Sequence, residues 1–273
     1  MVDNISIPNV SAASIIAMIV TLIISVGLPI ALCIIVWRKT RARISSFFIG
    51  AATFIVFALI LEQILHTVVL SVAPNLRKNI WLYALYGGLA AGIFEETGRF
   101  LAMKFCMKKN LNKQNAIMYG VGHGGIEAIL LTGMTYFSNL VVSLMINSGQ
   151  ISAILSMSGV DDSNYQLAIS QLMVMGTTPS WQFYMAGVER ISAIIFHISA
   201  SYLVYLAVKE KKLLCYLLAI LLHFLLDALA LITAVYLPVL AVELILILFS
   251  GVFGFIVWKL YHMRQDAYPD QKS

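Results

Sequence analysis

Two adjacent glutamates and an arginine interrupt an apolar stretch of this sequence. Glu95, Glu96 and Arg99 lie in GIFEETGRF, inside a mostly apolar run from 80 to 103 that is long enough to cross a bilayer. A charge at that depth is costly unless it is paired or hydrated, so these residues indicate a functional site. On a helix, Arg99 lies one turn from both glutamates and can hold both carboxylates. The alternative is a structural ion pair that neutralises itself.

Other apolar runs carry histidines and acids at helical spacing. GHGGIEA places His123 and Glu127 four residues apart, and LLHFLLDAL does the same for His223 and Asp227. His197 lies in the apolar run between them, which also holds Glu189 and Arg190. Residues four apart share a helix face, as two ligands on one helix must. For each pair, the alternative is a buried hydrogen-bonded pair with a structural role.

These ionisable side chains are predicted to lie in one layer of the membrane. Counted at about 1.5 Å per residue from the nearest cytosolic Lys or Arg, they fall between about 12 and 23 Å deep. Imidazole nitrogens and carboxylate oxygens are zinc ligands, and a catalytic zinc keeps one position for water. Water polarised in this way is a nucleophile near neutral pH, and an adjacent glutamate can accept its proton. The pattern therefore points to hydrolysis of a peptide bond within or beside the membrane.

Four further ionisable residues are predicted to lie outside this layer. Glu62 and His66 are four residues apart near the outer end of their run, and we interpret them as hydrated helix-end residues. Glu189 and Arg190 are placed in the same outer layer with a structural role.

Glycines are concentrated in two of the runs. Gly88 and Gly92 have GxxxG spacing, which allows another backbone to come close. Four glycines surround His123 in YGVGHGGIEA, and they are predicted to bring that helix against the helix of residues 80–103.

The composition defines the class of protein. The 273 residues are 60% hydrophobic and 11% charged, with a mean hydropathy of +0.90. A soluble domain could not bury so much apolar surface, and in lipid each backbone polar group must be paired within its own segment. We therefore predict an all-α, polytopic membrane protein with a single membrane domain, 1–273. Apolar runs predict seven transmembrane helices, at 14–37, 45–72, 80–103, 116–146, 182–208, 213–237 and 239–261.

The distribution of Lys and Arg predicts the topology. They cluster after the first, third, fifth and seventh runs, whereas only Arg77 and Lys78 follow the second. By the positive-inside rule the N-terminus is outside and the C-terminus is cytosolic, in a multi-pass protein of the cell membrane. The net charge of +5 is then mostly topological, and no nucleic-acid partner is expected.

The outer segment of residues 147–181 is the longest connection. It carries no Lys or Arg. We predict a plain extracellular loop, and the alternatives are a lid or substrate gate, with ISAIL and YQLAISQLMVM as short interfacial helices.

Four motifs in order resemble a known family. EETGR, GHGGIEA, His197 and HFLLD each lie on their own span and look like the YhfC family of intramembrane metalloproteases. That family belongs to the CAAX-protease and bacteriocin-processing superfamily, to which the scaffold subunit of gamma-secretase is also related. The resemblance covers a little over half of the chain. EETGR is one residue shorter than the EExxxR of CAAX proteases, and Ala193 stands where the FxxxH pattern has Phe, which disfavours prenyl-protein processing.

The resemblance implies an intramembrane endopeptidase acting on a membrane protein or peptide. Glu95 and Glu96 match the paired glutamates of the first motif, and either is the general base, with Arg99 neutralising or orienting them. The candidate metal ligands or water-positioning groups are His123, Glu127, His197, His223 and Asp227. Members of the superfamily are also argued to be metal-free glutamate proteases, so the expectation is a zinc site or a metal-free glutamate and histidine site.

Other functions remain open at this point. A non-catalytic membrane scaffold could keep the same polar layer for helix packing. A seven-span receptor or retinal protein has the same topology, although no lysine stands mid-membrane in the last run for a Schiff base. A proton-coupled transporter could use the same acids and histidines. Neither the oligomeric state nor the substrate follows from the sequence.

Overall fold

The fold is all helical, as predicted. A computed structural model describes residues 7–157 and 164–267, and no strand occurs in those ranges. The α-helices are α1 (Ala12–Thr40), α2 (Ile44–Phe54), α3 (Gln63–Val72), α4 (Ile80–Leu101), α5 (Lys113–Glu127), α6 (Met134–Asn147), α7 (Ile151–Met157), α8 (Tyr165–Thr177), α9 (Ser180–Lys209), α10 (Leu213–Tyr236) and α11 (Val239–Ala267).

Six helical segments are long and apolar enough to cross a membrane. They are Ala12–Thr40, Ile44–Val72, Lys113–Asn147, Ser180–Lys209, Leu213–Tyr236 and Val239–Met263. The chain is therefore a multi-pass membrane protein. Helix α4 has 22 residues but carries three of the charges described above, so a seventh span and the orientation of the termini stay predictions.

Three π-helical turns interrupt or extend these helices. They are Ile55–Glu62 between α2 and α3, Ala102–Cys106 after α4, and Ala128–Gly133 between α5 and α6. A π turn inserts an extra residue and rotates the following side chains, and such turns are frequent at functional sites. One of them ends at Glu62, and another begins directly after Glu127.

Glycines set the helix contacts that build the centre of the bundle. A Cβ on Gly88 would lie 2.7 Å from the Phe224 carbonyl oxygen of α10, and one on Gly92 would lie 2.8 Å from that of Ile220. The GxxxG prediction of a close backbone is therefore confirmed, with α10 as the neighbour of α4. Each of these glycines allows the two backbones to touch, because any side chain would separate them.

The prediction that the glycines around His123 face α4 is wrong. A Cβ on Gly120 would meet Ile198 and His197 of α9, and one on Gly124 would also meet His197. Gly122 contacts Phe47 of α2, and Gly125 contacts Pro29 of α1. Helix α5 therefore lies among α1, α2 and α9. The sequence showed that this helix packs tightly but not against which neighbour.

The outer segment is also not a plain loop, which corrects the sequence prediction. It contains α7 and α8, at the positions proposed for short helices. Ile169 and Leu172 of α8 are buried in one apolar cluster with Ile7 and Val10 of the N-terminal segment. These contacts hold the segment on the rest of the bundle.

Replacing Gly122 with Ala is expected to destabilise the fold. The new Cβ would overlap the Phe47 carbonyl oxygen and lie 2.6 Å from its carbon, so two backbones must separate. We expect the free energy of unfolding to fall by about 1–3 kcal/mol, measured by thermal unfolding in detergent. The matched control is Gly251→Ala, where the new Cβ meets no described atom within 4 Å apart from the backbone of its own helical turn. Equal unfolding temperatures for the two variants would contradict the tight α2–α5 contact.

Candidate active site

Four helices place a layer of ionisable side chains inside the bundle. Glu95, Glu96 and Arg99 come from α4, and His123 comes from α5. His197 of α9 and His223 of α10 complete the buried set. Arg99, Glu96 and His123 are each 0% exposed. Charges buried to this extent persist only when hydrogen bonds and partners satisfy them.

Arg99 organises one half of this layer. Its Nε and Nη2 donate to the two oxygens of Glu96 at 2.9 and 3.1 Å. Its Nη1 donates to the His197 carbonyl oxygen at 3.0 Å and to Ser201 Oγ at 2.5 Å, and Nη2 also donates to His197 Nδ1 at 3.0 Å. All five N–H groups therefore have acceptors. Arg99 holds Glu96 as predicted, whereas the prediction that it also holds Glu95 is wrong.

The contacts of His223 fix which ring nitrogen carries the hydrogen. Its Nδ1 lies 2.8 Å from Glu96 Oε1, a carboxylate already held by Arg99 and able only to accept. Nδ1 must therefore donate, and in the neutral imidazole the lone pair is on Nε2. Nε2 lies 3.9 Å from Glu95 Oε1 and 3.7 Å from Asp227 Oδ2. A histidine oriented by a carboxylate in this way is a common arrangement for a metal ligand or a base.

His197 has the opposite arrangement. Its Nδ1 faces the Arg99 guanidinium, which can only donate, so Nδ1 is the acceptor and Nε2 carries the hydrogen. Nε2 lies 2.6 Å from Glu127 Oε2. Glu127 Oε1 in turn accepts from Arg190 Nη1 at 2.6 Å, and Arg190 also contacts Glu189.

The assignment of Arg190 to a separate outer layer is therefore wrong. Arg190 is buried, and it belongs to the same network as Glu127 and His197. Its spacing of seven residues from His197, two helical turns on nearly one face, was the signal in the sequence that could have placed it there.

His123 lies behind Glu95. Its Nε2 is 2.8 Å from Glu95 Oε2, and its ring packs against those of Phe54, Tyr119 and His197. His123 and Glu127 share a helix but have different partners. The contact with His123 holds Glu95 so that Oε1 is directed towards His223.

Glu62 and His66 form a separate cluster, in which Glu62 is buried and His66 is half-buried. His66 Nε2 lies 3.2 Å from Glu62 Oε1, and His66 Nδ1 lies 2.7 Å from the Tyr86 hydroxyl. Glu62 is only 6% exposed, so its interpretation as a hydrated helix-end residue is wrong.

A small polar cavity of about 100 Å³ lies between α4, α5, α9, α10 and α11. That volume holds roughly three water molecules. Its walls are Glu95, Glu127, Glu189, Arg190, Ser192, Ala193, His197, His223, Leu226, Asp227, Ala230, Leu246 and Ser250. Five of the predicted site residues therefore line one cavity, whereas Glu96, Arg99 and His123 lie behind its walls. Ser192 and Ser250 carry no sequence motif and were not predicted.

The donor set of this cavity fits a zinc ion. Glu95, His197 and His223 can each offer one ligand atom with all three within 4.8 Å of one another. Two ligands of a tetrahedral zinc are about 3.4 Å apart, close to the separations of His223 Nε2 from Glu95 and Asp227. His197 Nε2 lies 2.6 Å from Glu127 Oε2 and carries a hydrogen, which it would have to lose in order to bind a metal. Asp227 is not part of this three-residue group, although its Oδ2 lies 3.7 Å from His223 Nε2.

Fold and site together define a class, a helical multi-pass membrane protein with histidines and carboxylates around a small internal polar cavity. The family model described as YhfC intramembrane metalloprotease matches residues 24–247, and the chain belongs to this family. It is 42% identical over 200 residues to the uncharacterized membrane protein YhfC of Bacillus subtilis (strain 168), covering 72% of this chain and 76% of that relative. No solved structure matches it significantly. The family predicted from the motifs is thus confirmed.

Proposed function

We propose that this chain is an intramembrane protease that hydrolyses a peptide bond of a membrane protein or membrane-bound peptide. The observation that carries the proposal is the position of Glu95, which lines the cavity with Oε1 3.9 Å from Nε2 of His223. A base and a second oriented group next to a water-sized space are what hydrolysis requires. The family description supports the same reaction.

Glu95 is the general base in this proposal rather than Glu96. Both oxygens of Glu96 accept hydrogen bonds from Arg99, and one also accepts from His223, behind the cavity wall. Glu96 and Arg99 therefore act through His223, by holding its Nε2 towards the cavity. His197 and Arg190 together hold Glu127 on the opposite wall.

The reaction follows from these positions. A water molecule in the cavity transfers a proton to Glu95 as its oxygen forms a bond to the carbonyl carbon of the substrate. The bond between that carbon and the amide nitrogen then breaks, and Glu95 returns the proton to the leaving amine. If zinc is bound, Glu95, His197 and His223 would hold it, and it would supply Lewis-acid polarisation of the water. Glu95 would then be a ligand, so its role as general base belongs to the metal-free form of the site.

The proposal is tested with purified protein in liposomes that also contain single-pass reporter proteins with varied transmembrane segments. We expect the wild type to cut one or more reporters inside or next to the membrane, with the cut located by mass spectrometry of the products. Intact reporters throughout the panel would favour the scaffold alternative.

Replacing His223 with Ala is expected to remove a bound metal. The wild type should carry about one zinc ion per chain, and the variant should carry almost none, because Nε2 is the ligand best oriented for it. Elemental analysis of both purified proteins measures this. His66→Ala is the matched control, since His66 also pairs with a buried glutamate but lies outside the cavity. A metal-free wild type that cleaves reporters would contradict zinc and leave the glutamate mechanism.

A further inference from the structure

The cavity contains hydrogen-bonding groups that the mechanism above does not use. Its acceptors are the carboxylates of Glu95 and Asp227 and the Nε2 lone pair of His223. The ionised carboxylates can only accept, and neutral His223 also accepts through Nε2. His197 Nε2 lies 2.6 Å from Glu127 Oε2. With His223 neutral, a peptide carbonyl that enters the cavity needs donors from other walls.

Ser250 of α11 offers one such donor. It is 1% exposed, it lines the cavity, and its Oγ has no hydrogen-bond partner among the described residues. Serines in membrane helices commonly donate to a carbonyl one turn earlier, as Ser199 and Ser201 do here at 2.7 Å. The Ser250 hydroxyl makes no such bond. A buried hydroxyl without a hydrogen-bond partner raises the free energy of the folded protein until a ligand supplies that partner.

Arg190 offers a second donor on the same cavity. Its Nη1 and Nη2 are occupied by Glu127 and Glu189, whereas its buried Nε has no acceptor in the part of the chain that the structure describes. A guanidinium can only donate, so the unpaired N–H of Nε needs a hydrogen-bond acceptor such as an oxygen atom. Arg190 and Ser250 both line the same cavity of about 100 Å³.

We propose that Ser250 Oγ and Arg190 Nε hold the carbonyl oxygen of the peptide bond that is cut. This inference rests on the proposed function. As water adds to the carbonyl carbon, the C=O electron pair moves onto this oxygen, and the two hydrogen bonds stabilise the negative charge until the C–N bond breaks and the C=O bond forms again. Donors placed where charge develops contribute more to the transition state than to substrate binding.

The test uses a liposome reporter that the wild type cleaves, with initial rates measured over a range of reporter density. Ser250→Ala removes the hydroxyl, and Ser250→Cys fills the same space with a weak donor. For both we expect kcat to fall about 10²-fold with little change in KM. Arg190→Lys keeps a positive charge near Glu127 but removes Nε, and it should show a similar fall.

Ser192→Ala is the matched control. Ser192 lines the same cavity, but its hydroxyl donates to the Glu189 carbonyl oxygen at 2.7 Å, so kcat should stay near that of the wild type. Thermal unfolding in detergent checks that each variant is folded. If a Ser250 variant or Arg190→Lys cleaves at the Ser192→Ala rate, the proposed donor pair is wrong while the protease proposal stands. If the wild type cleaves no reporter, both proposals fail.

Discussion

Replacing Glu95 with glutamine is expected to lower reporter cleavage by about 10³-fold while the protein stays folded. Glutamine has nearly the same size and can still accept a hydrogen bond from His123 Nε2, but it cannot take up the proton of a water molecule. It is also a much poorer metal ligand than a carboxylate. Initial rates in liposomes measure the loss, and thermal unfolding in detergent checks the fold.

Two matched variants distinguish the loss of the general base from the effect of changing any buried glutamate. Glu62→Gln alters a buried glutamate that also pairs with a histidine but lies outside the cavity, and it should retain wild-type activity. Glu96→Gln weakens the contacts that orient His223, so we expect a smaller loss than for Glu95→Gln. If Glu96→Gln were inactive and Glu95→Gln active, the roles assigned to the two glutamates would be reversed.

The sequence predicted the helical class, the family and the residues that meet in the buried layer. Depth in a membrane follows from counting residues along a helix, and ionisable groups at that depth are rare enough to be informative. Helical spacing also predicted that α4 meets another backbone at Gly88 and Gly92. These predictions needed only positions along each helix, which the sequence provides directly.

The pairing of the side chains could not be predicted in the same way. Spacing gives the face of a helix on which a residue lies but not the neighbouring helix that this face contacts. The sequence therefore could not show that Glu95 pairs with His123 and Glu96 with His223. The glycines around His123 illustrate the same limit, because close packing is possible against any adjacent helix. Depth counting failed for Glu62 for a related reason. Its distance along the helix says nothing about whether its side chain faces lipid, water or the bundle interior.

Ser250 shows a second limit. A single serine in an apolar helix is ordinary, since its hydroxyl usually bonds to the preceding turn. Ser250 differs from Ser199 and Ser201 because it lies on the cavity wall without that bond. Groups that act through position rather than through a motif are therefore found from the structure, whereas the charged residues were visible in the sequence.

Replacing Arg99 with methionine is expected to produce the largest loss of stability in the chain. Arg99 is fully buried, and its five hydrogen bonds connect Glu96 of its own helix with His197 and Ser201 of α9. Methionine fills much of the volume but leaves the Glu96 carboxylate buried beside His223 alone. Removing one partner of a buried ion pair costs about 3–5 kcal/mol, measured as a lower free energy of unfolding in detergent.

Two comparisons identify the cause of that loss. Arg77→Met removes an exposed arginine just before the start of α4 and should change stability very little, because exposed charges contribute about 0–1 kcal/mol. Adding Glu96→Gln to Arg99→Met removes the unpaired carboxylate, so the double variant should be more stable than Arg99→Met alone. An Arg99→Met protein as stable as Arg77→Met would mean that the network is not held together by its charge. In that case Glu96 would have to be neutral and could itself donate a hydrogen bond to His223 Nδ1. The lone pair of His223 would then not have to lie on Nε2, the nitrogen that faces the cavity.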